Sequence, residues 1–336
     1  RYWSLAFMDP FTDHAACVSR RTSGGAARTL WVAPPGWSAD APAGATPLRM
    51  PSNDLWLLGR VLVDGEADLP AVHALQDGLR IEAPAVSRPF VSVPDERDAR
   101  AFVAFAAEAL GRNPVPARDA ALLARTASVG LVPGDRAAFD RLDAATRDAW
   151  TRRLPRLRDR LRRPEPRFET EVGAGWSAGA DGIGNFGADH AYRAYIALNG
   201  LGALEREEAI YARTAVDADG RALDGARGYT LRVPPDLPAG AFWSLSMYRV
   251  EPDGRAFFVE NPIGRYTVGD RTPGLVRDAD GALTVRMRRE PPADPAARAN
   301  WLPAPEGPFA LAWRVYEPGP ALLARRYRLP GVIREA

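Results

Sequence analysis

The chain has 336 residues, 46% of them hydrophobic, and a formal net charge of +2. That apolar content supports a folded core, and so small a charge excludes an electrostatic footprint for nucleic acid or for an anionic membrane surface. All 44 basic residues are arginine, and the single cysteine, Cys17, excludes both an intrachain disulfide and a cysteine-built zinc site.

The length suggests two or three domains. No apolar run reaches ~18 residues, so no membrane span is expected. Residues 1–90 read as mostly β. Strands are expected at residues 1–8, 17–22, 28–33 and 54–64, with a short helix over 68–79. The chain opens at Arg1 in what reads as mid-strand, which predicts a cut or processed start. Residues 91–165 change to helical periodicity. A helix over 95–111 takes Asp95 as its cap and carries Phe102, Phe105, Ala106 and Leu110 as an apolar stripe. Further helices are expected over 118–128 and 135–163, the last interrupted at Pro155. The basic run at residues 151–163 reads as a solvated helix face.

From residue 166 the β pattern resumes. Strands are expected at 168–172, 209–216 and 228–233, with a glycine-rich segment at 177–187 and a helix over 190–204. The densest pattern lies at residues 241–272. A strand over 242–250 puts Trp243, Leu245 and Met247 on one side and Phe242, Ser244, Ser246 and Tyr248 on the other. Glu251-Pro252-Asp253-Gly254 and Asn261-Pro262-Ile263-Gly264 supply turn chemistry, which predicts an antiparallel meander with return strands at 255–260 and 265–268. Strands at 283–288 and 309–316 follow, the latter with Phe309, Leu311, Trp313 and Val315 inward. So many short strands in so little chain indicate a sandwich or jelly roll. Residues 2–8 echo residues 242–248, a likeness that strand chemistry alone can produce.

Three motifs invite chemistry. Gly175-Trp176-Ser177-Ala178-Gly179 fits G-x-S-x-G, but a nucleophile elbow needs a helix immediately after it, and here more glycines follow. Gly182-Ile183-Gly184-Asn185-Phe186-Gly187 fits G-x-G-x-x-G, but no strand runs directly into its first glycine. His14, His73 and His190 form no H-x-H or H-x-x-x-H pair, so no metal site and no cofactor are expected. A better candidate is a polar and aromatic set: Arg193, Trp243, Tyr248, Arg265, Tyr266, Asn300 and Trp301. Aromatic faces with arginine and asparagine suit sugars, carboxylates and other small polar ligands. The same residues also have structural readings: Trp243 as core, Arg265 paired with Asp270, Asn300 bracing a turn.

Several segments resemble a bacterial family that pairs domain of unknown function 1254 with domain of unknown function 1214. In the first half the likeness rests on Arg1-Tyr2-Trp3-Ser4-Leu5, Ser19-Arg20-Arg21-Thr22-Ser23-Gly24, Pro35-Gly36-Trp37 and the segment 57–65. In the second half it rests on Arg193-Ala194, the segment 242–248, Asn261-Pro262-Ile263-Gly264-Arg265-Tyr266 and Asn300-Trp301-Leu302-Pro303. The resemblance implies a mainly β fold with a helical insert: an immunoglobulin-like β-sandwich over 1–90, a small helical domain over 91–165 and a jelly-roll β domain over 166–336. The family's first domain starts several strands earlier than this chain does. The resemblance implies export, to the periplasm or beyond, and no established chemistry. The function expected is binding of a small polar or saccharide-like ligand in a cleft of the C-terminal β domain. The alternatives are an enzyme of that cleft, with Tyr248 or His190 as acid or base, and a structural subunit of a homo-oligomer.

Overall fold

The structure, a computed structural model, describes residues 1–83, 95, 97–252 and 254–335. The expected domain boundary at 90/91 and Asp253 of the expected turn lie outside the described residues. The fold is mainly β with inserted helices. The chain divides into two compact units, residues 1–164 with 184–203 and residues 165–183 with 204–336.

In the first unit, strands β1 (Trp3–Met8), β2 (His14–Ser19), β3 (Thr29–Ala33), β4 (Ala45–Arg49) and β5 (Trp56–Val61) form two sheets. β1 lies between β2 and β5 in an antiparallel three-stranded sheet, while β3 and β4 pair in parallel. β4 falls in a segment the sequence reads as a proline-rich connection. Among the described residues it pairs only with β3, and such an edge position tolerates Pro47. The helices are α1 (Arg20–Ser23), α2 (Leu69–Asp77), α3 (Ala99–Arg112), α4 (Ala120–Thr126), α5 (Ala144–Leu161) and α6 (His190–Gly200).

Two local expectations are corrected here. The α3 cap is Asp98, whose carboxylate accepts from the Ala101 N–H at 3.0 Å, while Asp95 accepts from the Arg97 N–H in the turn before it. α5 runs through Pro155 without a break. Its neighbour Leu154 is buried in a cluster with Ala99, Val103 and Phe139. Tertiary packing of that one face outweighs the roughly 3 kcal/mol that an interior proline costs a helix.

In the second unit the strands are β6 (Glu169–Gly173), β7 (Trp176–Gly179), β8 (Ala209–Thr214), β9 (Tyr229–Val233), β10 (Ala239–Val250), β11 (Ala256–Phe257), β12 (Thr267–Gly269), β13 (Leu283–Arg288), β14 (Trp301–Pro303), β15 (Phe309–Pro318) and β16 (Ile333–Arg334). Short helices α7 (Pro295–Ala299) and α8 (Pro320–Leu323) punctuate them. A seven-stranded sheet runs β11-β10-β15-β8-β7-β6 with β12 also on β10, and a four-stranded sheet runs β14-β13-β9-β16.

Side chains from both sheets share one core, which makes the unit a two-sheet sandwich. β10 contributes Trp243, Leu245 and Met247, and β15 contributes Phe309, Leu311, Trp313 and Val315. Leu231 and Val285 come from the other sheet. Trp313 sits between Trp176 and Trp243, with ring centroids 5.4 Å and 5.7 Å away. Period-two alternation on β10 and β15 places these large side chains on one face. Burying each contributes on the order of 1.5–3 kcal/mol.

The segment 241–272 is not a simple meander. β11 pairs β10 at Arg249 and Val250, and β12 pairs the same edge at Ser244, Leu245 and Ser246, so the two lie end to end. β15 takes the opposite edge along most of β10. A 12-residue strand is long enough to serve both short partners. The return segment leaves the ladder after Phe257, ahead of the turn built on Asn261 and Pro262. β14, where the sequence reads only a lead-in to the last strand, pairs β13 in parallel after the connection through α7.

Candidate functional site

The β10–β15 register sets the outer face of the seven-stranded sheet. Phe242, Ser244, Ser246 and Tyr248 point away from the core, opposite Tyr316, Arg314, Ala312 and Ala310. Arg314 reaches diagonally across this ladder. Its Nη1 donates to the Ser246 hydroxyl at 3.0 Å and its Nη2 to the Tyr248 hydroxyl at 3.0 Å. Ser246 lies opposite Ala312 and Tyr248 opposite Ala310, so the guanidinium passes over small side chains that leave it room. The Ser246 hydroxyl is also 2.9 Å from that of Thr267. Aromatic rings continue from Tyr248. Phe258 stacks on it at 4.6 Å, and Tyr266 follows at 5.3 Å from Phe258.

Beside these rings runs a shallow groove of about 480 Å³, lined by Phe258, Ile263, Arg265, Tyr266, Thr267 and Pro273 among others. Its wall is held by the Asn261 turn. The Asn261 carboxamide accepts from the Arg265 N–H at 2.9 Å and donates to the Arg265 carbonyl at 3.1 Å. Gly264 takes the positive φ this turn requires. From the turn, Arg265 extends its Nη1 to the carbonyls of Ala299 and Trp301 at 2.7 Å and 2.9 Å. Burial pushes the Arg265 guanidinium below its ordinary pKa. The Tyr266 hydroxyl is pushed up, because its bond to the Glu260 carboxylate favours the protonated phenol.

Of the seven residues singled out from sequence, three meet on this surface: Tyr248, Arg265 and Tyr266. Trp243 is 5% exposed in the sandwich core. Its backbone N–H donates to the carboxylate of Asp270, the residue considered as an Arg265 partner, at 3.1 Å. Trp301 is buried, with its indole N–H on the Arg288 carbonyl at 2.7 Å. Asn300 is buried and braces the backbone at Val276. Arg193 belongs to the first unit. Phe258, Arg314, Ser246 and Thr267 join the site without having been selected. Arg314 carried a signal: it is a charged residue between the inward Trp313 and Val315. Its partners follow only from the pairing of β15 with β10.

The first unit holds a separate polar network. Asp13, buried, accepts from Arg118 and from Arg193, the latter at 3.2 Å, and from the Phe186 N–H at 2.8 Å. Arg193 also donates to the Gly187 carbonyl at 2.9 Å. His190 Nε2 stands 3.4 Å from a carboxylate oxygen of Asp119. His14 is buried, and among the described residues neither ring nitrogen has a hydrogen-bond partner. Burial and the Arg60 guanidinium push its pKa down to about 4. The two glycine motifs have structural occupations. Ser177 lies within β7 and bonds the Glu169 carboxylate at 2.5 Å, in a hairpin rather than an elbow. The G-x-G-x-x-G segment leads into α6, whose N-terminus is capped by Asp189 through the Tyr192 N–H.

These features define a class: a β-rich protein with a two-sheet C-terminal sandwich and an N-terminal unit of strands and helices. Residues 208–320 match the family described as "Protein of unknown function (DUF1214)", and residues 1–83 match "Protein of unknown function (DUF1254)". The chain belongs to the family that pairs these two domains, DUF1254 first and DUF1214 second. The crystal structure of the VPA0106 protein from Vibrio parahaemolyticus is similar over 100% of this chain and 82% of its own, with a TM-score of 0.70 and 22% identity. That likeness is one of fold. An uncharacterised protein from Burkholderia cenocepacia aligns over 63% of this chain and 47% of its own, at 18% identity and a TM-score of 0.28. The comparison with curated proteins gives no match.

Proposed function

We propose that the protein binds a small polar, saccharide-like ligand on the outer face of its C-terminal sandwich. The observation that carries this reading is the continuous run of Tyr248, Phe258 and Tyr266 beside the hydroxyl of Thr267 in the groove wall. Sugar rings present C–H faces that pack on aromatic rings and edges of hydroxyls that need hydrogen-bond partners, and the groove offers the Phe258 and Tyr266 rings with the Thr267 hydroxyl. Phe258 is 50% exposed and Ile263 48%, so apolar area remains for a ligand to cover. The exported location implied by the family resemblance belongs to the same proposal, and fractionation of expressing cells tests it.

Calorimetric titration of the chain with a panel of mono- and disaccharides tests the binding reading. At least one sugar is expected to bind, with Phe258→Ala and Tyr248→Ala each weakening it by roughly tenfold, about 1.4 kcal/mol. Binding that ignores both substitutions, or no binding across the panel, overturns it. A second reading is self-association into a homo-oligomer, favoured by the adjacency of exposed Phe257, Phe258 and Ile263. Sedimentation of the wild type against Phe258→Ser separates the two, because only assembly predicts a change of mass.

A further inference from the structure

Arg314 is half-buried on the sheet face, and its two hydrogen bonds are to neutral hydroxyls. Among the described residues it makes no ion pair. Three other shielded arginines hold carboxylates. Arg112 holds Asp54, Arg193 holds Asp13 and Arg206 holds Asp181. A guanidinium partly removed from water gains from a carboxylate partner, and a fork with donors still unpaired is suited to an arriving anion. Arg314 has no carboxylate of its own to displace.

The surroundings favour the same outcome. The Tyr248 ring stands 6.0 Å from the guanidinium and positions it beside the aromatic run. Ala310 and Ala312, opposite Tyr248 and Ser246, carry only methyl groups. Two carboxylates of the same sheet and groove have partners of their own. Glu169 accepts from Ser177 and pairs with Arg213, and Glu260 holds the Tyr266 hydroxyl. Arg265, which lines the groove, faces carbonyls rather than a carboxylate.

Resting on the proposed binding reading, we infer that the ligand is an anion, a ring compound carrying a carboxylate or sulfate group that Arg314 receives while the ring packs on Tyr248 and Phe258. Uronic-acid sugars, sulfated sugars and simple aromatic acids share that chemistry.

The test is calorimetric titration of the full chain with three probes: oligogalacturonate, the same oligomer methyl-esterified, and benzoate. Esterification removes the charge and keeps the ring. Acid oligomer is expected to bind at least about tenfold more tightly than its ester, with affinity falling as salt rises. Arg314→Gln, checked for an unchanged melting temperature, is expected to erase that difference. Arg314→Lys, which keeps the charge but loses the planar fork, is expected to retain only part of it, and guards against a fold defect in the first variant. Equal binding of acid and ester, lost in Phe258→Ala, overturns the anion inference and leaves the saccharide reading standing. Benzoate bound through Arg314 with no oligomer bound supports the anion site and removes the sugar. No binding by any probe overturns both.

Discussion

The carboxamide of Asn300 closes a two-way bridge to the backbone of Val276, accepting from its N–H at 2.9 Å and donating to its carbonyl at 2.6 Å. Asn300 is 4% exposed, so water cannot replace these bonds on its own side. Its role is structural. Asn300→Ala is expected to lower stability by roughly 1–3 kcal/mol in urea unfolding. Asn300→Asp is expected to be no better, since a carboxylate cannot donate to the Val276 carbonyl.

His14 predicts a pH limb in the stability of the first unit. Its folded pKa is pushed down to about 4 from 6.5, mainly by burial, with Arg60 adding to the shift and Asp13 opposing it. The unfolded chain therefore takes up this proton before the folded chain does. Stability from this group is full above pH 6.5 and is lost as pH falls toward 4, by up to about 3 kcal/mol. Asp9 works the other way: burial raises its pKa, so its contribution declines as pH rises above 3.8. Comparing urea midpoints of wild type and His14→Leu at pH 4.5 and 7 isolates the histidine. The variant is expected to lose less stability on acidification, and parallel losses would remove His14 as the cause.

Asp98 and Asp95 give a paired test of helix capping. Asp98→Ala removes the acceptor for the Ala101 N–H and is expected to cost about 1 kcal/mol. Asp95→Ala, outside the helix, is expected to cost less. Thermal melts of both variants decide the assignment, and a larger drop for Asp95→Ala would reverse it.

Gly269 lies where β12 meets β10. A Cβ there would stand 2.4 Å from the Trp243 carbonyl oxygen, which is backbone and cannot swing aside. Gly269→Ala is expected to detach β12 from β10, with faster amide exchange at Val268 and a stability loss of about 1–3 kcal/mol. Unchanged exchange at Val268 would show that the ladder absorbs the methyl group.

Arg265 ties the Asn261 turn to the carbonyls of Ala299 and Trp301. Arg265→Met keeps much of the side-chain volume and removes the donors. It is expected to speed amide exchange across residues 261–266 and to weaken ligand binding through the loosened groove wall. Slower or unchanged exchange there would contradict the bracing role.

The sequence alone determined the inward faces of β10 and β15, because alternation of large apolar side chains is a local signal with period two, while the mainly β fold class and the family pairing came through the resemblance of whole segments. It also limited the glycine motifs, since the elements each motif requires were missing from its flanks. Helix caps and ends were less legible: Asp95 and Asp98 are both competent caps, and Pro155 breaks an isolated helix but not one pinned by Leu154. The site was legible only in part. Tyr248, Arg265 and Tyr266 stood out by residue type, but so did Trp243, Asn300 and Trp301, which serve the core and the backbone. What separates them is the tertiary structure. Only pairing across β10, β12 and β15 brings Arg314, more than sixty residues away in the chain, onto Ser246 and Tyr248. Only the path of the Asn261 turn sets Phe258 against Tyr248 and Tyr266. Such contacts depend on register between distant strands, and register is fixed by the shared core rather than by any local run of residues.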